Sequence, residues 1–255
     1  PHNTIYSIIR TGDNQIYVGT YNGLCRYIAS NGKFEKIPLP VNSSQSNLFV
    51  NSLLEDTGRQ CIWIGTEGYL FQYFPSTGQM KQTEAFHNNS IKSLALDGNG
   101  YLLAGTDNGL YVYHNDVTPL QHIIHDSRNI QSLTNNIIWN IFADQEHNIW
   151  LGTDYGISLS RYNSALQFIP ISQITGTGDG NQFYSLFRDS KGFYWFGGTN
   201  GVIRFTHPAG NKHDAIWYRM GDKNHPLSHN RIRHIYEDRE QQLWIATDGS
   251  INRYD

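Results

Sequence analysis

The hydrophobic positions of this chain fall into short runs, and one pattern of such runs occurs six times. In the copy Ile149 to Tyr162, an apolar Ile-Trp-Leu run is followed by Gly-Thr, a few polar or small residues, and a second run of mixed character. A run rich in β-branched and aromatic residues predicts a strand buried on both faces, and the glycine-containing break predicts a hairpin turn. The other copies cover residues 16–27, 62–73, 102–113, 194–205 and 243–254.

The threonine that follows the first run marks the period of the repeat. It lies at positions 20, 66, 106, 153, 199 and 247, so successive copies are 46, 40, 47, 46 and 48 residues apart. A further strand pattern precedes each copy, as from Asn136 to Asp144, and a weaker one follows, as from Phe34 to Ile37. Four antiparallel strands in a unit of about 45 residues are typical of a propeller blade.

We therefore predict an all-β fold, a β-propeller of four-stranded antiparallel blades with six repeat units, forming a single domain over residues 1–255. The chain begins in a predicted innermost strand and ends before a fourth strand of the last unit. Because an open ring leaves strand edges and an apolar blade face in water, we expect this chain to be part of a seven-bladed propeller. The predicted blades cover approximately residues 1–40, 41–82, 83–124, 125–172, 173–220 and 221–255.

Composition adds to this picture and excludes some functions. Hydrophobic residues make up only 38% of the chain while aromatic residues reach 13%, so tyrosine and tryptophan are expected to supply much of the buried surface. The formal net charge is −3 and basic residues do not cluster, which argues against a nucleic-acid partner. No apolar run approaches the roughly 18 residues of a membrane span. We expect any membrane attachment to lie in parts of the protein outside this chain.

Motifs of catalysis and cofactor binding are missing from the sequence. It has no nucleophile elbow, no phosphate-binding glycine loop and no Cys/His spacing typical of a metal site, so we predict neither a cofactor nor a metal. Cys25 and Cys61 fall on predicted strands of different blades, and we expect buried free thiols there.

The fourth and sixth units carry a recognisable combined motif. It reads L-[ST]-x-N-x-I-x-x-I-x-x-D and then [IL]-W-[IL]-[GA]-T-D-x-[GS], and it spans Leu133 to Asp144 with Ile149 to Gly156, and Leu227 to Asp238 with Leu243 to Ser250. This motif resembles the two-component regulator propeller repeat, and the likeness extends over all six units. The second unit departs from it with Leu48 at the asparagine position.

The resemblance implies a function that the residues alone do not. Propellers of this family form the periplasmic sensor region of hybrid two-component histidine kinases of the Bacteroides type, which respond to breakdown products of polysaccharides. We therefore expect a non-catalytic, extracytoplasmic sensor domain that binds an oligosaccharide and belongs to an inner-membrane receptor. The resemblance also implies that the parent receptor is a homodimer.

One candidate set of ligand-binding residues follows the repeated threonine. If the strands run outward from the hub, these turns share one face, where carboxylates and amides could bind sugar hydroxyls or a cation. The alternative is that each acid satisfies the amides of its own turn. The six residues are Tyr21, Glu67, Asp107, Asp154, Asn200 and Asp248.

A second candidate set lies where the repeat is broken. Trp139 and Tyr184 offer aromatic faces to sugar rings, although both could instead pack between blades. Arg231 could pair with a uronate or sulfate. Tyr155, beside Asp154, completes the predicted site. Histidines on the crossings between blades, interpreted as ordinary surface residues, are His87, His125 and His229.

Residues that recur once per blade are predicted to be structural. The aspartates that end the first strand lie in turn sequences, and we expect them to stabilise those turns. They are Asp56, Asp97, Asp144, Asp189 and Asp238.

Two other functions remain open on sequence grounds. A propeller lyase or glycosidase would use a histidine with a tyrosine, or two carboxylates, in the same mouth. A protein-interaction scaffold would instead use the rim.

Overall fold

The computed structural model describes residues 2–40, 48–82, 89–114, 118–163, 166, 168–170, 181–206 and 215–254. These residues form 23 strands in six antiparallel sheets and contain no helix. The chain divides into two compact units, Pro1–His122 and Ile123–Asp255. His87 lies outside the described residues.

Unit 1 contains three sheets, and in each sheet the strands lie side by side in sequence order. Each strand therefore pairs with its neighbour along the chain, and the connections that the structure describes in full are turns between antiparallel strands. The strands are β1 Ile5–Arg10, β2 Ile16–Thr20, β3 Gly23–Ile28 and β4 Lys33–Ile37; β5 Val50–Asp56, β6 Cys61–Thr66, β7 Leu70–Phe74 and β8 Gln79–Gln82; β9 Ile91–Leu96, β10 Leu102–Thr106, β11 Gly109–Tyr113 and β12 Gln121–Ile123.

Unit 2 repeats the arrangement, with three strands in its last sheet. Its strands are β13 Ile138–Ala143, β14 Ile149–Thr153, β15 Gly156–Ser160 and β16 Phe168–Pro170; β17 Phe183–Arg188, β18 Tyr194–Gly198, β19 Gly201–Phe205 and β20 Ile216–Tyr218; β21 Ile232–Glu237, β22 Leu243–Thr247 and β23 Ile251–Tyr254.

Within each unit the first strands of successive sheets are neighbours. β5 contacts both β1 and β9, and β17 contacts both β13 and β21. Sheets that meet along their first strands and diverge outward are the blades of a propeller. The predicted fold class, an all-β propeller of antiparallel blades with six repeat units, is therefore confirmed. The single domain and the seventh blade stay predictions.

A small residue in the repeated motif lets neighbouring blades approach closely. A Cβ atom added to Gly152 would lie 2.6 Å from the carbonyl oxygen of Phe183 on the next blade, and one added to Gly65 would lie 2.5 Å from Cγ2 of Ile91. Both distances are shorter than van der Waals contact. The glycines at these two positions are therefore required by packing between blades.

Buried tryptophans fill the space between blades and are held by the strand-end aspartates. Trp150 is fully buried and donates its indole N–H to Asp144 Oδ2 at 2.9 Å. Tyr194, on the next blade, donates to the same oxygen at 3.0 Å. Asp144 Oδ1 accepts the backbone N–H of Asn148 at 2.8 Å. The predicted structural role of these aspartates is thereby confirmed, and the same indole bond joins Trp63 to Asp56, Trp195 to Asp189 and Trp244 to Asp238.

The two cysteines are buried free thiols, as predicted. Burial raises the pKa of both Cys25 and Cys61, so each remains protonated and unreactive at neutral pH.

Candidate ligand-binding face

The turn after the repeated threonine is held by the threonine itself. Thr153 Oγ1 donates to the carbonyl oxygen of Gly156 at 2.8 Å and accepts the N–H of Tyr155 at 3.1 Å. Thr106 makes the same two bonds in its turn. In these two turns the threonine, and not the acid, therefore accepts the turn amide. The acid side chain is left to contact other partners.

Every sheet carries a β-bulge at one equivalent residue of its first strand. Ile138 pairs with Thr153 while Asn140 pairs with Gly152, so Trp139 is an extra residue in the ladder. A bulge re-aims the side chain of the extra residue. We call the six equivalent positions the bulge residues: Tyr6, Asn51, Lys92, Trp139, Tyr184 and Arg233.

In three blades the bulge residue contacts the acid that follows the threonine. Trp139 Nε1 donates to Asp154 Oδ1 at 3.0 Å. Ion pairs join Lys92 Nζ to Asp107 Oδ1 at 2.7 Å and Arg233 Nε to Asp248 Oδ1 at 2.5 Å. These pairs place the predicted acids beside the starts of the first strands, along what we call the turn edge of each unit.

On the turn edge of unit 2, a continuous set of contacts crosses between blades. Gln182 Nε2 donates to Asp154 Oδ1 at 2.6 Å, and Tyr184 donates its hydroxyl to Gln182 Oε1 at 2.5 Å. Arg231 Nη2 donates to the Tyr184 hydroxyl at 3.3 Å. The rings of Trp139 and Tyr184 meet edge to face, with centroids 5.3 Å apart. The structure therefore brings together four of the predicted residues, Trp139, Asp154, Tyr184 and Arg231.

The other predicted residues of unit 2 lie on the same turns. Tyr155 is 54% exposed and follows Asp154 directly. The backbone N–H of Asn200 donates to Asn181 Oδ1 at 3.1 Å, so this residue is tied to the start of its own blade. Asp248 is exposed, and the hydrogen bond from Arg233 lowers the pKa of its carboxyl. All three are at the turn edge, and the backbone N–H of Asp248 donates to the carbonyl oxygen of Arg231 at 3.1 Å.

The turn edge of unit 1 combines charge with an aromatic group. Tyr21 stacks on the ring of His2 with centroids 4.8 Å apart and meets Phe49 edge to face at 4.4 Å. Partial burial raises the pKa of Glu67; the positive charge of Lys92 lowers it and the carboxylate of Asp107 raises it further. Glu67 and Asp107 therefore share one lysine.

The predicted mouth residues fall in two separate units. Tyr21, Glu67 and Asp107 belong to unit 1, whereas Asp154, Asn200 and Asp248 belong to unit 2. A single ring formed by all six stays a prediction.

Two of the histidines on the crossings between blades lie in the described part of the chain, and both contact backbone atoms. The Nδ1 atom of His125 lies 2.5 Å from the carbonyl oxygen of Leu133. His229 Nδ1 accepts the N–H of Arg231 at 3.0 Å. These contacts fit the interpretation of both as structural surface residues.

A separate cleft of about 650 Å³ opens at the opposite edge of unit 1, between its first two blades. Tyr17 and Ile62 form part of its floor, and Asp13, Glu55 and Arg26 part of its rim. Its carboxylates are engaged: Glu55 accepts the N–H of Gly12 with both oxygens at 3.0 Å, and Asp13 accepts from Thr11. The cleft contains none of the predicted site residues.

Sequence reasoning missed three residues of the turn edge: Lys92, Gln182 and Arg233. The alternation of a strand predicts which side chains share a face, but a bulge breaks that alternation. An alignment of the six first strands was the available signal. The residue type at the bulge position differs from blade to blade, whereas the positions on either side of it hardly vary.

Two further properties concern the described part of the chain. No three His, Cys, Asp or Glu side chains there are grouped to hold a metal ion. None of its elements is a helix long and apolar enough to cross a bilayer.

Comparison with known proteins gives a consistent family. The two component regulator propeller family matches residues 1–22, 132–155, 177–200 and 226–249. The whole chain is 93% identical, with a TM-score of 0.63, to part of the extracellular domain of a candidate hybrid two component system from B. thetaiotaomicron. It is also 26% identical over 279 aligned residues to histidine kinase P4 of Formosa agariphila.

These relatives are longer than the chain, which spans 34% of the B. thetaiotaomicron structure and 19% of the kinase. Virginiamycin B lyase from Staphylococcus aureus is similar over 98% of this chain and 84% of its own, with a TM-score of 0.71 at 14% identity. That identity shows a shared propeller fold alone. On its repeated motif, its blades and its match to this extracellular domain, the chain carries segments similar to the two component regulator propeller repeat.

Proposed function

We propose that this chain is a non-catalytic, ligand-sensing part of a hybrid two-component receptor and lies in the periplasm, outside the inner membrane. The support is its 93% identity to an extracellular domain of such a system. Signalling to a kinase would be carried out by parts of the protein outside this chain.

We propose further that the ligand is an oligosaccharide derived from a polysaccharide. The observation that carries this is the set of contacts from Trp139 through Asp154 and Tyr184 to Arg231. Sugars are bound by aromatic faces, which cover the apolar C–H groups, and by fixed polar groups, which bind the hydroxyls. Trp139 and Tyr184 supply the first, and Arg231 supplies the second, while Asp154 holds Trp139 in position.

Hydrogen bonds hold these side chains in position before a ligand arrives. Asp154 receives bonds from both Trp139 and Gln182, which fixes its carboxylate between two blades. A pre-organised site loses little conformational entropy on binding. In a homodimeric receptor, a ligand that favours one arrangement of the subunits would shift the population toward it.

The rival function is catalysis on a glycan or a related substrate, as in propeller lyases. Such an enzyme needs a proton acceptor that is directed at the substrate. The Nδ1 atoms of His125 and His229 are instead occupied by backbone groups. The alternative of a protein-interaction scaffold predicts neither saccharide binding nor turnover.

The proposal is tested by calorimetric titration of the 255-residue chain with tetrasaccharides of galactose, mannose, xylose and galacturonic acid. The expected result is tight binding of one member of the panel and weaker binding of others, with the sugar recovered intact afterwards. Release of products would support the enzyme, and absence of binding to every member would contradict the saccharide ligand.

A further inference from the structure

We propose that the bulge residues of unit 2 are specificity-determining positions of this receptor, each blade of that unit presenting one side chain to the ligand. This inference rests on the proposed function, because it concerns which saccharide the turn edge accepts. The residues that contribute in unit 2 are Trp139, Tyr184 and Arg233.

The first argument is that one backbone device recurs in all six blades. Each bulge falls at the same step of the first strand, between the residue that pairs with the repeated threonine (with Gly198 in the fifth blade) and the residue two places later. An isolated bulge could be a local accident, but six equivalent bulges direct six side chains toward equivalent places. Bulges of this kind often lie beside functional sites, where they re-aim a side chain.

The second argument is the contrast between the bulge residue and the residue before it. The preceding residue is apolar in every blade, and it is buried in the five blades after the first. The bulge residue is at least partly exposed in every blade. The preceding residues are Ile5, Val50, Ile91, Ile138, Phe183 and Ile232, whereas the bulge residues include two tyrosines, a tryptophan, an asparagine, a lysine and an arginine.

This contrast separates packing from recognition. Blade packing restricts the residue in the ladder to an apolar side chain of the right size. The bulge removes the next residue from that restriction, so its chemistry can differ from blade to blade without cost to the sheet. Discrimination among similar ligands requires positions at which the backbone is fixed while the type of side chain can vary.

The third argument is that the acids after the threonine hold the bulge residues in place. Asp154 accepts the indole N–H of Trp139 at 3.0 Å, and Asp248 accepts from Arg233 Nε at 2.5 Å. The backbone N–H of Asp248 also donates to the carbonyl oxygen of Arg231, which ties the turn to the same strand. We therefore assign Asp154 and Asp248 as positioning residues, and Trp139 and Arg233 as the groups that contact the sugar.

The two roles predict different results in a binding experiment. Substituting a bulge residue should change the order in which the chain prefers the four tetrasaccharides. Substituting a positioning residue should weaken all binding members of the panel by a similar factor and leave their order unchanged.

The experiment compares Trp139→Phe, Tyr184→Phe and Arg233→Lys with Asp154→Ala, by calorimetric titration of the 255-residue chain against the same panel. Trp139→Phe keeps an aromatic ring but removes the indole donor. The expected result is at least a threefold change in the ratio of two affinities for one or more bulge variants, and a constant ratio for Asp154→Ala. Tyr162→Phe is the control, because Tyr162 is an exposed aromatic residue of the same blade at its opposite edge.

Two outcomes contradict different parts of the account. If the unmodified chain binds a member of the panel but every bulge variant keeps the original ratios, the bulge residues do not determine specificity and the proposed function stands. If the unmodified chain binds no member of the panel, both the saccharide ligand and this inference are overturned.

Discussion

Trp139 donates its indole N–H to Asp154 Oδ1 at 3.0 Å, although the two residues are 15 positions apart in the chain. The bulge at Trp139 and the threonine-capped turn before Asp154 bring them together. Trp139 is half-buried, unlike the fully buried Trp150 of the next strand. Trp139 therefore lies at the turn edge, where its ring also meets that of Tyr184 on the next blade at 5.3 Å.

Replacing Trp139 should affect binding more than folding. For Trp139→Ala we expect at least a tenfold loss of affinity for the binding tetrasaccharide, equivalent to about 1.4 kcal/mol. Because the ring is only half-buried, the free energy of unfolding should fall by about 1 kcal/mol. Titration and urea unfolding measure the two effects. Tyr162→Ala, at the opposite edge of the same blade, should leave affinity unchanged, and a loss of several kcal/mol in Trp139→Ala would return this residue to the core.

Two equivalent tryptophans of unit 2 should differ in their contribution to stability. Trp195 is 1% exposed, whereas Trp244 is 36% exposed, although each donates its indole N–H to the strand-end aspartate of its own blade at 2.8 Å. We expect Trp195→Ala to cost about 3–5 kcal/mol and Trp244→Ala less than half of that, because only the first leaves a cavity between blades. Urea unfolding of the two variants measures the difference. Equal losses would show that the indole hydrogen bond outweighs burial.

Acid should weaken the first turn of the second blade. Burial alone would raise the pKa of Asp56, but hydrogen bonds from Trp63 and Arg59 and the positive charge of Arg59 outweigh it and lower that pKa. A carboxyl whose pKa is lowered in the folded state stabilises the fold at pH values above its unfolded-state pKa of about 3.9. This contribution is lost as the pH falls through the folded-state pKa.

The comparison that tests this uses Asp56→Asn, which keeps an oxygen acceptor but carries no charge. The stability advantage of the unmodified chain over the variant should be constant from neutral pH down to about pH 5 and should shrink below about pH 4. Urea unfolding followed through the indole NMR signal of Trp63 reports on this blade. An advantage independent of pH would exclude the proposed role of the charge.

The carboxyl of Glu67 should respond in opposite directions to its two neighbours. Asp107→Asn removes a nearby negative charge and should lower the pKa of Glu67, while Lys92→Met removes a positive charge and should raise it. Carbon-detected NMR titration of the Glu67 carboxyl measures both shifts. A shift in the same direction in both variants would mean that burial, and not these charges, controls the group.

The fold could be predicted because each blade repeats the same physical requirements. The apolar run, the small residue and the tight turn around Gly152 and Thr153 recur in every copy, so their recurrence exposed the architecture. The strand-end aspartates could be interpreted as structural for the same reason. Repetition is therefore the strongest signal in this chain.

The candidate site was predicted only in part, because it depends on departures from the repeat. Trp139 and Tyr184 were recognised as unusual, but the bond from Gln182 to Asp154 crosses between blades and has no counterpart in sequence spacing. Lys92 and Arg233 were missed because a bulge cannot be seen in an alternating pattern. The sequence left open whether the acid satisfies the turn amides, because carboxylate and hydroxyl side chains can both accept them, and it did not show that the threonine hydroxyl has this role.

The most direct test of the central claim is calorimetric titration of the unmodified chain with the four tetrasaccharides, with chromatography of the recovered sugar. We predict saturable binding at the turn edge, tightest for one member of the panel, and recovery of that sugar unchanged. Cleavage of any member, or binding of a member that is unaffected by Trp139→Ala and Tyr184→Ala together, would contradict it.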